Sequence, residues 1–200
     1  MMKFAGLALA LSLAAPVALA SDARIGEPAP AFTLTDATGQ ARSLAEFAGK
    51  TVVLEWTNHE CPFVVKHYKG ENLPRQQAAA TADGVVWLVV NSSAPGKQGH
   101  VSAEQAVKIQ ADWNASHSHY LFDTSGDTGR AYGARTTPHM YVIDADGILR
   151  YNGAIDSIPS ANIADIEKAE QYVEIALAEL AAGQPVSRPL TQPYGCSVKY

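Results

Sequence analysis

Cysteine is scarce in this sequence: Cys61 and Cys196 are the two in a chain of 200 residues. Two is too few for a disulfide scaffold, and a chain of this length needs no stapling. No second cysteine follows Cys61 at close range, because the position three residues on is Val64, so no local C-x-x-C disulfide can form. Charge is also modest, at 18% of residues with a formal net charge of −5, and no basic stripe is visible. That excludes nucleic acid as a partner. Long apolar runs are confined to residues 1–20, MMKFAGLALALSLAAPVALA, where a run broken at Pro16 is short for a membrane span of roughly 20 residues. With Lys3 at its start and Ala18 and Ala20 before Ser21, this stretch reads as a secretory signal peptide. Its removal makes the remainder about one unit more acidic and leaves an exported, periplasmic chain with no membrane attachment. Internal repeats, linkers and low-complexity segments are missing too. With 47% apolar residues the chain is expected to form one globular domain over residues 21–184, followed by a proline-rich tail, residues 185–200, that carries Cys196.

What the sequence does have is concentrated in residues 51–69, TVVLEWTNHECPFVVKHYK. Thr51 to Thr57 are β-branched, apolar or aromatic apart from Glu55, as in a central strand covered on both faces. Asn58, His59 and Glu60 break that run. Cys61 then falls at the mouth of a helix opened by Pro62, a residue tolerated there because its missing N–H has no intrahelical partner to lose. Unpaired amides and the helix dipole at that point favour an anion. A thiol so placed has its pKa lowered from about 8.5 into the range of roughly 3.5 to 7.5, which yields a nucleophilic thiolate at neutral pH. The plain alternative is a small buried hydrophobe or one end of a structural disulfide.

The remaining segments alternate strands with helices. Phe32 and Leu34 alternate with Thr33 and Thr35 before a turn at Asp36 to Gly39, which predicts a β-hairpin, and a short helical turn follows at Leu44 to Phe47. The Cys61 helix pauses at Gly70 and restarts with Asn72 as cap and Pro74 in the first turn. Val85 to Val90 is a second buried strand, Ser102 opens a helix through Val107, Ile109 and Trp113, and His119 to Phe122 is a third strand. A short helix near Arg130 to Tyr132 precedes a hairpin, Met140 to Ile143 and Ile148 to Tyr151, turned at Asp144-Ala145-Asp146-Gly147. Residues 160–182 form the clearest helix, with Ile163, Ile166, Val173, Leu177 and Leu180 on one face and Gly183 at its end. Such alternation implies an α/β sheet.

IGEPAPAFTLTDATG near the start, the strand and turn ending in NHECP, the segment RTTPHMYVIDADGILRYNG and the ending GCSVKY together resemble the thioredoxin-like superfamily. Within it the chain resembles the redoxins and peroxiredoxin-like proteins, over about residues 25–200. The resemblance implies a central mixed sheet flanked by helices, with the N-terminal hairpin as an extension and the C-terminal segment as a tail. It places Cys61 at the strand-to-helix turn, faced by Thr137-Pro138 in a cis peptide, and puts Thr137, Pro138 and Pro62 around the substrate. Two departures stand out. Val64 replaces the second cysteine of a thioredoxin-type exchanger. Asn58 stands where a typical peroxiredoxin carries threonine or serine, while Thr57 comes one residue too early. Orienting a peroxide takes hydrogen-bond donors and a cation beside the thiolate. Asn58 is a candidate donor and Arg135 a candidate cation, with an ordinary surface arginine as the alternative. Glu55 matches the buried acid of the thioredoxins and is expected to have a raised pKa and to exchange protons with the thiol, unless it lies at a solvated edge.

Six histidines, among them His59, His117, His119 and His139, raise copper or zinc as a possibility. Copper carriers of the superfamily pair two nearby cysteines with a distant histidine, and the second nearby cysteine is missing, so no metal and no cofactor is expected. The resemblance implies a thiol peroxidase or thiol-disulfide oxidoreductase with Cys61 as nucleophile and Cys196 as resolving thiol. Its substrate is a peroxide or a disulfide, and an external thiol resets the pair. A non-enzymatic binding protein, such as a copper carrier built on the same cleft, is the alternative from a different class.

Overall fold

A computed structural model describes residues 23–200 of the chain, and the expected signal peptide lies outside the described residues. Strands β1 (Thr33–Asp36) and β2 (Ala41–Ser43) form the expected hairpin. Asp36 closes it, because its Oδ1 accepts from the backbone N–H of Thr38 at 2.8 Å and of Gln40 at 3.0 Å. An aspartate at a turn satisfies backbone donors that the strands cannot reach. Strands β3 (Val52–Trp56) and β4 (Val86–Asn91) are buried at every position, since they pair in parallel in the middle of the sheet. Strand β5 (His119–Phe122) lies parallel to β4 and receives β1 on its far side. Strand β6 (Thr136–Thr137) stands apart, whereas β7 (His139–Ile143) pairs antiparallel with β3, and β8 (Leu149–Gly153) pairs with β7. The seven-stranded order is β2-β1-β5-β4-β3-β7-β8, so the N-terminal hairpin extends the main sheet at its β5 edge.

Among the described residues, five α-helices cover the two faces: α1 (Pro62–Lys69), α2 (Asn72–Ala82), α3 (Ala103–Asp112), α4 (Asp127–Tyr132) and α5 (Tyr172–Ala181). Strand alternation sorts the core beneath them. Val53, Trp87 and Val89 pack with Val64 and Tyr68 of α1, Leu73 of α2 and Val173 of α5. Leu54, Trp56, Leu88 and Val90 face the other way, onto Phe32, Tyr132 and Tyr141. Ser102 caps α3 as expected, accepting from Gln105 N–H at 3.2 Å while the Gln105 side chain accepts from Ser102 N–H at 2.8 Å.

Two sequence expectations need correcting. Asn72 is the first residue of α2 rather than its cap, which is Glu71 in the left-handed conformation at φ 57°. The continuous helix expected over residues 160–182 is broken: Ile163–Lys168 is a 3-10 turn, and α5 starts only at Tyr172. Tertiary contacts override helical propensity there. Gln171 is pulled into a bridge with Asp156, and its amide donates to the carbonyls of Ile166 at 3.2 Å and Ala169 at 3.4 Å. Ile163 and Ile166 are thereby seated on Gly70, where a Cβ would lie 2.5 Å from Ile166 Cδ1 and 2.8 Å from the Lys66 carbonyl oxygen.

The last residues are part of the folded body. Asn152 N–H donates to Pro189 O at 2.9 Å, Ala154 N–H to the Thr191 hydroxyl at 2.9 Å and Ala94 N–H to Lys199 O at 2.8 Å. A final strand, β9 (Cys196–Ser197), pairs antiparallel with β6 to make a second, two-stranded sheet.

Gly70→Ala is expected to lower stability by about 1–3 kcal/mol through overpacking against Ile166 and the Lys66 carbonyl. Urea denaturation checks this; an unchanged midpoint would mean that the 3-10 turn is not seated on α1.

Candidate active site

Cys61 is the N-cap residue of α1, with Pro62 exposed in the first turn beside it. The turn leading into it is closed by Cys61 N–H donating to Asn58 O at 3.0 Å. The thiol is fully buried. Its Sγ donates to the Thr137 carbonyl at 3.1 Å and accepts from Cys196 N–H at 3.4 Å. Thr137 and Cys196 are partners in the β6–β9 ladder, and Thr137-Pro138 is cis. The structure thus brings Cys61, Thr137, Pro138 and Cys196 together, although the two cysteines are 135 positions apart in sequence. Both are free thiols.

The electrostatics separate the two thiols. Burial pushes the Cys61 thiol up, but hydrogen bonds from Cys196, Thr137 and the Val64 and Cys196 amides outweigh it, and the net pKa is lowered. The Thr137 carbonyl acts the other way, since it can accept only from the protonated thiol. Cys196 is pushed up to about 12 by its own burial and by Cys61 beside it. Of the two thiols, Cys61 is therefore the more acidic.

Three other candidates make no hydrogen bond to the sulfur among the described residues. Asn58 is buried, but its Oδ1 accepts from Glu60 N–H at 2.9 Å and its Nδ2 donates to Gln98 O at 3.4 Å, so the side chain braces the 93–101 loop. Gly99, at φ +84°, is a glycine because a Cβ there would overlap that amide. The Arg135 side chain is exposed and makes no ion pair among the described residues; its backbone serves instead, with the carbonyl accepting from Val198 N–H at 3.0 Å. Glu55 is fully buried on the α1 side of β3 and accepts from Tyr68 OH at 2.8 Å, Trp87 Nε1 at 2.8 Å and Gln77 Nε2 at 3.0 Å. Its carboxylate is used to tie β3, α1, α2 and β4 together, and none of its three partners is Cys61. Among the described residues, no three histidine, cysteine or acidic side chains gather as a metal ion would require.

Sequence reasoning missed a second buried polar cluster on the opposite flank of α1. Lys66 Nζ lies 3.3 Å from Asp156 Oδ2 with both side chains wholly buried. Tyr194 donates its hydroxyl proton to Asp156 Oδ1, and His67 Nε2 lies 3.0 Å from that hydroxyl. Asn72 Nδ2 approaches His67 Nδ1 at 2.9 Å, which sets the tautomer with the proton on Nε2. Burial, with Lys66 adding to it, holds His67 down to about 3, so the ring is neutral. Tyr194 also stacks edge-on against Phe63, with centroids 5.7 Å apart. Two residues before Cys196, it fastens the C-terminal segment to the helix that carries Cys61. The adjacent Lys66 and His67 were visible in the sequence; their partners, 90 and 127 positions away, were not.

Residues 24–171 of the chain match the model of the Redoxin family, a span that contains Cys61 and ends before Cys196. No curated protein matches the chain. Among solved structures, the chain is similar to a hypothetical protein from Sinorhizobium meliloti 1021, at 24% identity and a TM-score of 0.73 over 90% of this chain and 96% of the other. It is also similar to an uncharacterized conserved protein from Geobacillus kaustophilus, at 28% identity and a TM-score of 0.72 over 88% and 92%. A candidate thiol:disulfide interchange protein DsbE from Chlorobium tepidum aligns at 26% identity with a TM-score of 0.53, over 66% of this chain and 85% of the other.

Burial raises Glu55 from its ordinary 4.5 to about 7, with the bonds from Trp87, Tyr68 and Gln77 pulling back. Between those values the folded protein holds a proton that the unfolded chain has released. Its contribution is therefore greatest below about pH 4.5 and declines as pH rises to about 7, by roughly 3 kcal/mol. Buried His117 and His139, both held down to about 4 by burial, push stability the other way, so the difference between wild type and Glu55→Gln is the readout. Thermal melts across this range should show the Gln variant gaining on wild type as pH rises; parallel curves would mean that Glu55 ionises normally.

Proposed function

This chain belongs to the Redoxin family and is a thiol-disulfide oxidoreductase or peroxidase-like enzyme, and from that premise we propose that Cys61 and Cys196 form its redox couple. The observation that carries this reading is the Cys196 backbone amide, 3.4 Å from Cys61 Sγ, which sets a thiol with a lowered pKa beside one with a raised pKa. Cys61, as thiolate, attacks a peroxide oxygen or a disulfide sulfur. The sulfenate or mixed disulfide that results then condenses with Cys196, giving the Cys61–Cys196 disulfide and releasing water or the second thiol. An external thiol returns the pair to the reduced state. Export to an oxidising compartment fits a couple of this kind.

In this reading the remaining groups around Cys61 have supporting parts. The Val64 and Cys196 amides stabilise the thiolate, and the Thr137 carbonyl releases its hydrogen bond when the thiol ionises. Cys196, kept protonated, is not a competing nucleophile until Cys61 has been oxidised.

Cys61→Ser should reduce turnover of peroxide or disulfide to background. Cys196→Ser should keep part of it when an external thiol is in excess, since such a thiol replaces a resolving cysteine but not the attacking one. Steady-state assays on both variants decide this; equal and complete loss in both would mark the bond as structural.

A further inference from the structure

An extended polypeptide is ordinarily gripped as an added strand along a free sheet edge. Beside Cys61 that edge is β6, Thr136–Thr137, and it is taken by β9 of the same chain. The fit is close. Gly195, at φ +133°, lies so near Thr137 that a Cβ would overlap the Thr137 carbonyl oxygen and sit 2.7 Å from its carbon. On one side the segment is held by Tyr194 on Asp156 and Phe63. On the other, Val198 N–H bonds Arg135 O, Ala94 N–H bonds Lys199 O, and the Tyr200 hydroxyl donates to Ala134 O at 2.7 Å. The Tyr200 ring lies on Gly126 and Gly129, where any Cβ would collide with it.

We propose that residues 193–200 are a resident occupant of the substrate-strand edge, restricting Cys61 to small hydroperoxides and excluding polypeptide disulfides. This rests on the reading of Cys61 as the redox nucleophile. A polypeptide must first displace a segment that is pinned at both ends, whereas a hydroperoxide needs only a local opening over the sulfur. In the step that follows, the Cys61 thiolate attacks the terminal peroxide oxygen. A sulfur–oxygen bond forms, the oxygen–oxygen bond breaks, sulfur loses two electrons, and the departing alkoxide takes a proton to leave as the alcohol. Cys196 is already in place to expel water from the sulfenic acid.

The test uses the reduced protein spanning residues 21–200, with cumene hydroperoxide and a peptide closed by one disulfide as oxidants, and follows loss of the Cys61 thiol by rapid alkylation. Gly195→Ala lifts the segment by collision, and Tyr200→Ala lifts it by removing an anchor; amide exchange at Cys196 and Val198 reports the lifting. Wild type should react with the hydroperoxide and not measurably with the peptide. Both variants should gain peptide reactivity by about tenfold or more, the factor that follows from losing one or two hydrogen bonds that hold the segment down. Wild type consuming the peptide as fast as the variants would overturn the proposal. So would a lifted segment with no gain in peptide reactivity, or amides that exchange no faster in either variant. A wild-type Cys61 inert to both oxidants would overturn the redox reading itself, and the proposal with it.

Discussion

The approach of Gly195 to the Thr137 carbonyl is the contact on which the arrangement around Cys61 depends. Without a side chain at residue 195, β9 can lie against β6, and only then does the Cys196 amide reach the Cys61 sulfur. Any L-residue there would be strained at φ +133° and would also collide with backbone, which cannot move aside as a flexible side chain could. Cys61, whose sulfur the Cys196 amide reaches, is fully buried. A thiol at a helix mouth is activated by exposed amides; here the amide of a distant segment joins those of the helix, and the sulfur is stabilised as an anion while hidden from bulk solvent.

Helix α1 is held as firmly as the segment that crosses it. Tyr68 reaches Glu55 on one flank, while Lys66 and His67 engage Asp156 and Tyr194 on the other. Removing one partner of a buried ion pair leaves an uncompensated charge, at a cost of roughly 3–5 kcal/mol. Such groups are tolerated because each is satisfied, and together they fix the rotation of α1 about its axis. Since Cys61 is the cap of that helix, its sulfur is aimed by residues that never touch it. Tyr194 belongs to both arrangements, for it closes the Asp156 cluster and delivers the chain to Gly195 and Cys196.

Local pattern made much of this legible in the sequence. The buried run of β3, the Asn58-His59-Glu60 break and Pro62 placed Cys61 at a helix mouth, and the turn at Asp36 and the cap at Ser102 followed from side-chain chemistry alone. Reading failed where sequence-distant contacts decide. Residues 160–182 have helical spacing, yet Gln171 and Gly70 break the helix; nothing near Gly195 in the sequence signals its role, which resides in the distant Thr137 carbonyl. The partners of Asn58, which braces a loop, and the exposure of the Arg135 side chain were likewise beyond local pattern. Glu55 was recognised as a buried acid, while its three donors emerge only from the packing of α1, α2 and β4.

The most direct test of Cys61 and Cys196 as one redox couple is a peptide map of the protein after a single equivalent of hydroperoxide, digested without reductant. The account predicts one new cross-linked peptide joining Cys61 to Cys196 within the same chain, lost on adding a thiol. Cys61 recovered as sulfinic acid beside an untouched Cys196 thiol, or a linkage found only between chains, would contradict it.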